Sequence, residues 1–271
     1  MTYADIELSE NGPVAWITID RETRHNALRM TVTDREIVDA LRALETRKDI
    51  RAIVVTGRGK KAFCTGWDME AIEEMALCDL EQVVRQNMEL FSTVWLQRQP
   101  VIAAVNGHAV ASGATLAMAC DMVVAADNAR LAEPEIRHGA LSPFLIMPFL
   151  THAKAVHEFY YLGEAIDAQE MLRLGLANRV VPHDDLIATA QKMGEMLAHV
   201  PREALDLKKR SLRAAYDLMG LRAATERHAL ADSIILGADL EGPRKLQDIL
   251  RDQGMRAFLE ARDGPFRTTD K

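Results

Sequence analysis

The chain has 271 residues, 48% of them hydrophobic, enough for one large core or for a core with a smaller helical annex. Its 33 basic and 40 acidic side chains leave a formal charge of -7, which argues against a general nucleic-acid binder, because that function needs a basic face. Cys64, Cys78 and Cys120 are too few and too uneven for a disulfide framework, Met1–Glu10 lacks a basic, then apolar leader, and no apolar run could span a bilayer, so a cytoplasmic protein without membrane contact is expected.

In chain order, the first element is Val14–Ile19, a β-rich run after the turn signal Asn11-Gly12-Pro13. Thr33-Asp34-Arg35-Glu36 has the spacing of a capping box, and Ile37, Val38, Ala40, Leu41 and Leu44 follow it at helical intervals. Ala52–Val55 reads as a buried strand, Leu80–Leu96 as a helix stopped before Pro100, and Val101–Val105 as a second buried strand closed by Asn106-Gly107. Ser112–Ala119 reads as a short helix and Met122–Ala125 as the next strand. The alternation predicts an α/β fold with mostly parallel pairing. Beyond about Pro143 the character turns helical, with helices predicted over Ala165–Leu174, Leu186–Leu197, Arg202–Leu218, Leu221–Ile235 and Arg244–Leu259. Their apolar stripes fit either a cap on the core or an oligomerisation layer. Residues 1–200 are taken as the core and 201–271 as a helical region.

Three stretches carry chemistry. Lys61-Ala62-Phe63-Cys64-Thr65-Gly66-Trp67-Asp68-Met69 follows a strand, and Asn106-Gly107-His108-Ala109-Val110-Ala111-Ser112-Gly113 joins a strand to a helix. At such turns backbone N–H groups are free to face a ligand, and in the second stretch they also lie at a helix N-terminus, so a pair of them can stabilise an oxyanion. The third stretch, Leu131-Ala132-Glu133-Pro134-Glu135-Ile136-Arg137-His138-Gly139, sets two acids around a proline. Each alone reads first as a turn serving packing or solvation.

Together, in this order, the three stretches resemble the crotonase (enoyl-CoA hydratase/isomerase) superfamily. The resemblance begins at Arg21-Glu22-Thr23-Arg24-His25-Asn26-Ala27-Leu28, continues through Pro100–Gly107 and Cys120-Asp121, and ends at Gly254–Glu260. It implies a core of repeated ββα units and a C-terminal helical region that builds a homotrimer or homohexamer. It also implies an acyl-CoA substrate, with coenzyme A as part of that substrate and no tightly bound cofactor or metal. By position, the oxyanion donors are the backbone N–H groups of Trp67 and Ser112, the acid–base group is Glu135, and Arg24, Ala62, Thr65, Trp67 and Asp68 line the coenzyme A.

The chain departs from the two-glutamate hydratases at Thr115, where those enzymes carry an acid. Moving a double bond from the 3,4 to the 2,3 position needs only one base, and Ser142-Pro143-Phe144 looks like the mitochondrial-type enoyl-CoA isomerases. The favoured activity is therefore a single-glutamate isomerase. The alternatives are a hydratase, hydratase-lyase or thioester hydrolase on an unusual acyl-CoA, and a protein that binds acyl-CoA without turning it over. Asp68 and Glu133 are read as structural hydrogen-bond partners, His108 as a partly buried histidine, and His138 as such or as a group that tunes Glu135. Cys64 has no activating base in view, and Lys208-Lys209-Arg210 reads as a solvated face.

Overall fold

A strand that is apolar at every position must be covered on both faces, and this requirement organises the molecule. The computed structural model describes residues 2–69, 77–238 and 240–267. A six-stranded sheet is formed by β1 (Ile6–Asn11), β2 (Val14–Ile19), β3 (Ala52–Gly57), β5 (Val101–Val105), β7 (Met122–Ala126) and β10 (Arg179–Val181), in that order. β1 and β2 pair antiparallel and every other pair is parallel. Along the central strands the side chains alternate between two hydrophobic clusters. Val14, Trp16, Val54, Ile102 and Ala104 pack under Leu186, Ala190 and Met193 of helix α6 (Leu186–Ala198). Ala15, Ile17, Ile53, Val55, Val101 and Ala103 face the main core, with helices α1 (Thr33–Glu45) and α2 (Leu77–Leu96).

A second, four-stranded sheet comprises β4 (Ala62–Cys64), β6 (His108–Val110), β8 (Arg130–Ala132) and β9 (Ile166–Asp167). Each of its first three strands directly follows a strand of the large sheet, so β3–β4, β5–β6 and β7–β8 are successive turns of one ββ repeat. The corners are tight. Asn106 Nδ2 donates to Gly57 O (2.9 Å) and Gly59 O (2.7 Å), and a Cβ on Gly107 would stand 2.2 Å from Lys61 O. Strands of two or three residues show no readable periodicity, which is why the sequence does not announce this sheet.

The helices complete the chain: α3 (Ser112–Ala119), α4 (Ala153–Leu162), α5 (Ala168–Arg173), α7 (Arg202–Leu218), α8 (Leu221–Gly237), α9 (Glu241–Gln253) and α10 (Met255–Asp263). No helix among the described residues is long and apolar enough to cross a membrane. Several expectations need correction. The predicted helix 165–174 is β9 followed by α5, because Asp167 caps α5 by accepting from Glu170 N (2.8 Å). The predicted helix 244–259 breaks at Gly254, whose φ of 81° no helix interior allows. Helix α4 and strand β1 lay outside the reading altogether. The capping box is not formed: Val32 is the N-cap, Thr33 Oγ1 donates to Asp5 Oδ2 (2.5 Å), and Glu36 accepts from the Ala4 and Asp5 N–H groups. Those two side chains hold the N-terminal segment instead of the helix end. Lys209 is also not solvated. It is buried and donates to Asp121 Oδ2 (2.6 Å) and Gln99 O (2.8 Å), and with Arg213 it ties α7 to the large sheet.

Candidate active site

Two loops meet at the junction of the sheets. One leaves β4 through Thr65-Gly66-Trp67. Leu28 N donates to Gly66 O (2.7 Å) and Asp68 N donates to Leu28 O (2.9 Å), a parallel bridge that turns the Trp67 N–H to the opposite side. The other leaves β6 and opens α3, where Ala111 holds φ 59° and ψ -130° and Ser112 is the first helical residue. Its N–H belongs to the first turn, which has no intrahelical acceptor. Neither the Trp67 nor the Ser112 N–H has a protein acceptor among the described residues. The loops touch through glycines: a Cβ on Gly66 would lie 3.3 Å from Ser112 N, and one on Gly113 would lie 2.0 Å from Cys64 O. The Ser112 side chain is buried and its Oγ accepts from Asn87 Nδ2 (3.3 Å).

A cavity of about 280 Å³ opens at this junction. Thr65, Trp67 and Ser112 line it, with Glu135 and His138 opposite, and α8, α9 and α10 close it through Asp232, Arg244 and Phe258. Glu135 stands in a 3₁₀ turn, Pro134–His138, entered directly from β8. Its Oε2 is buried with no hydrogen-bond partner. Burial pushes its carboxyl up to about 7, Asp232 adds to this, and Arg262 opposes it. Asp232 is buried, accepts from Leu141 N (2.9 Å), and is likewise raised by burial to about 7. His138, its ring edge-on to Phe258, is pushed down to about 4 by burial and is neutral.

On the far side of Glu135 lies a second cavity of about 390 Å³, sharing Glu135, Ala140 and Leu141 with the first. Glu133 faces it. The Thr115 hydroxyl donates to Glu133 Oε1 (2.7 Å) and is itself bonded to Ser142 Oγ (2.6 Å). Burial first, then the Glu135 charge, hold the Glu133 carboxyl well above the ordinary carboxylate range. Burial and mutual repulsion thus oppose ionising Glu133 and Glu135 together.

Glu135, Trp67, Ser112 and Thr65 thus come together around one cavity. Arg24, Ala62 and Asp68 do not line it. Ala62 is buried in β4, with its carbonyl accepting from Asn26 Nδ2 (2.7 Å). Asp68 is bonded to Arg24 (3.0 Å) and Arg21 (3.1 Å); burial would raise its carboxyl, but the two guanidinium groups outweigh it and lower it. His108 is exposed and away from the cavity, against the expectation of a partly buried ring. Burial raises the Cys64 thiol to about 12, so it is no nucleophile. Cys120 is also a buried free thiol, and the Cys78 side chain lies outside the described residues. Sequence reasoning missed Asp232. The available signal was its place on the stripe Leu221, Thr225, His228, Asp232, Ile235, an acid on the inward face of α8.

The enoyl-CoA hydratase/isomerase family model matches residues 9–269. A putative enoyl-CoA hydratase of Thermus thermophilus is 34% identical over 263 residues, covering 95% of this chain and 98% of that protein. A crotonyl-CoA hydratase of Syntrophomonas wolfei subsp. wolfei is 29% identical over 98% of this chain and 99% of its own length. The crystal structure of an enoyl-CoA hydratase/isomerase from Xanthobacter autotrophicus Py2 superposes with a TM-score of 0.94 at 30% identity, covering 98% of this chain and all of that one. With the paired sheets, the helical C-terminal region and the motifs above, these matches establish that the chain belongs to the enoyl-CoA hydratase/isomerase family, the crotonase superfamily.

Proposed function

We propose that this member is a hydratase, catalysing reversible addition of water to a 2-enoyl-CoA, with Glu135 and Glu133 as its two carboxyls. The observation that carries the reading is the placement of both acids on one cavity, with the Glu135 Oε2 buried and unpartnered. The Trp67 and Ser112 N–H groups receive the thioester oxygen, where negative charge develops. In the dehydration direction Glu135, whose buried Oε2 has no hydrogen-bond partner, takes the proton from C2. The electron pair passes through the thioester enolate to form the double bond, and Glu133 gives its proton to the hydroxyl leaving C3 as water. Hydration is the reverse. Glu133 thus supplies from the end of β8 the acid that Thr115 lacks. The relatives' names, hydratases of enoyl-CoA and crotonyl-CoA, support this reading over the isomerase. Backbone groups of Ala62–Asp68, with Arg24, hold the coenzyme A.

A second reading, the single-glutamate isomerase, is favoured by the Thr115 hydroxyl, which is spent on Glu133 and Ser142 and brings no carboxylate to α3. A panel of 2-enoyl- and 3-enoyl-CoA thioesters in H₂¹⁸O separates the two. Hydration gives a product heavier by labelled water, whereas a shifted double bond with no mass change establishes the isomerase. Glu133→Gln is expected to lower kcat by about 10²–10³ with the Kd for saturated thioesters within threefold of wild type. Full hydration activity in that variant would remove Glu133 from the mechanism. Silence across the panel, with thioester binding intact, would leave a protein that only binds.

A further inference from the structure

The second cavity holds far more than the one water that hydration consumes, since a water occupies roughly 30 Å³ of liquid and the cavity measures about 390 Å³. Most of its wall is apolar, including Leu145, Pro148 and Val156. Into it faces Tyr160 of α4, whose hydroxyl is buried and bonded to nothing. The Met147 amide approaches the phenol without reaching hydrogen-bond geometry. A tyrosine hydroxyl that is buried and left without a partner destabilises the empty protein, and phenylalanine would fill the same volume without that cost. The unsatisfied hydroxyl therefore offers a place for a hydrogen-bonding group that arrives with the ligand. Glu135 forms part of the wall of both cavities, so a chain whose C2 and C3 lie at Glu135 runs on into this space.

We propose that this cavity receives the distal part of the acyl group and that the Tyr160 hydroxyl hydrogen-bonds an oxygen carried there. The substrate is then an enoyl-CoA bearing a neutral carbonyl or hydroxyl oxygen beyond C3, not a plain hydrocarbon chain. Neutrality follows from the surroundings. Among the described residues no Lys or Arg lines this cavity, so its wall offers no fixed cation to a distal carboxylate, and burial with the Glu135 charge favours the protonated form of Glu133. The proposal rests on the thioester reading above but not on which reaction follows.

The test uses saturated thioesters, which cannot be turned over: heptanoyl-CoA and its 4-, 5- and 6-oxo derivatives, titrated by calorimetry into the wild-type chain and into Tyr160→Phe. At least one oxo derivative is expected to bind wild type about tenfold more tightly than heptanoyl-CoA, as when a polar group built to be satisfied finds its partner. In Tyr160→Phe that preference should vanish, with heptanoyl-CoA affinity unchanged and the Tm of the empty protein raised. Equal binding of all four thioesters, or a Tyr160→Phe loss shared equally by heptanoyl-CoA, overturns the proposal. Failure of every thioester to bind overturns both this proposal and the thioester reading. An oxo preference in a chain that shifts double bonds without adding water would sustain the subsite while removing the hydratase.

Discussion

At Glu135 the environment and the proposed chemistry pull in the same direction. Burial lifts its carboxyl to about 7 from an ordinary value of 4.5, so it sits where a proton can move either way near neutral pH. As the base of dehydration it must be ionised. We therefore expect kcat/KM for a 3-hydroxyacyl-CoA to rise about tenfold per pH unit up to about pH 7 and then level off, measured from pH 5 to 8.5. A profile flat through that range would separate Glu135 from the rate. The same shift has a stability consequence of opposite sense. A carboxyl with a raised folded-state pKa favours the folded state below its unfolded value, and that contribution is lost as pH climbs from about 4.5 to about 7. Glu135→Gln should therefore be more stable to unfolding than wild type at pH 8, by about 1–3 kcal/mol in a denaturant titration, with the gain shrinking toward pH 5. Glu135 was legible in the sequence through its motif. Glu133 was legible as a hydrogen-bond partner, but its partner Thr115 lies 18 residues away on another element, and no local pattern reveals that they meet in a buried pocket.

At the scale of elements, the site depends on two loops being pressed together more closely than any side chain permits. Helix α3 lies so near β4 that a Cβ on Gly113 would enter the Cys64 carbonyl at 2.0 Å. The obstacle is backbone, so one of the two segments must move. Gly113→Ala is expected to destabilise the protein by about 2 kcal/mol or more and to lower kcat along with Tm, because the Ser112 N–H moves with α3. A melting midpoint within a degree of wild type would show that the junction yields freely. The long elements were readable, since β3 and β5 carry unbroken apolar runs and α1 carries enough apolar positions to show a period. The corners were half-readable: Asn106-Gly107 gave the turn, but not that Asn106 clamps Gly57 and Gly59. The capping box failed because Thr33 and Glu36 found better partners in the N-terminal strand segment than in their own helix.

For the molecule as a whole, α7, α8 and the turn between them leave a set of large apolar side chains in water: Leu207, Leu212, Leu218, Met219, Leu230 and Ile234, each more than half exposed. Apolar surface gathered on one pair of helices calls for a partner. We propose that it is covered by further copies of this chain in a trimer or hexamer. Light scattering should then give three or six times 30.2 kDa, and Ile234→Glu should shift the mass toward a single chain. A monomeric mass for wild type at micromolar concentration would end that proposal.

What the sequence determined by itself was the alternation of buried strands and amphipathic helices, the two glycine-bearing turns, and Glu135 beside a proline. Each is a local pattern, written within one turn or one strand. What only the tertiary structure decided was which distant groups share a buried space. Thr115 joins Glu133 to Ser142, Asp232 reaches the Glu135 cavity from α8, and Tyr160 turns an unsatisfied hydroxyl into the space behind them. The physical reason is desolvation. A carboxyl or phenol acquires its chemical character from the water it loses, and that loss depends on packing between segments tens to a hundred residues apart.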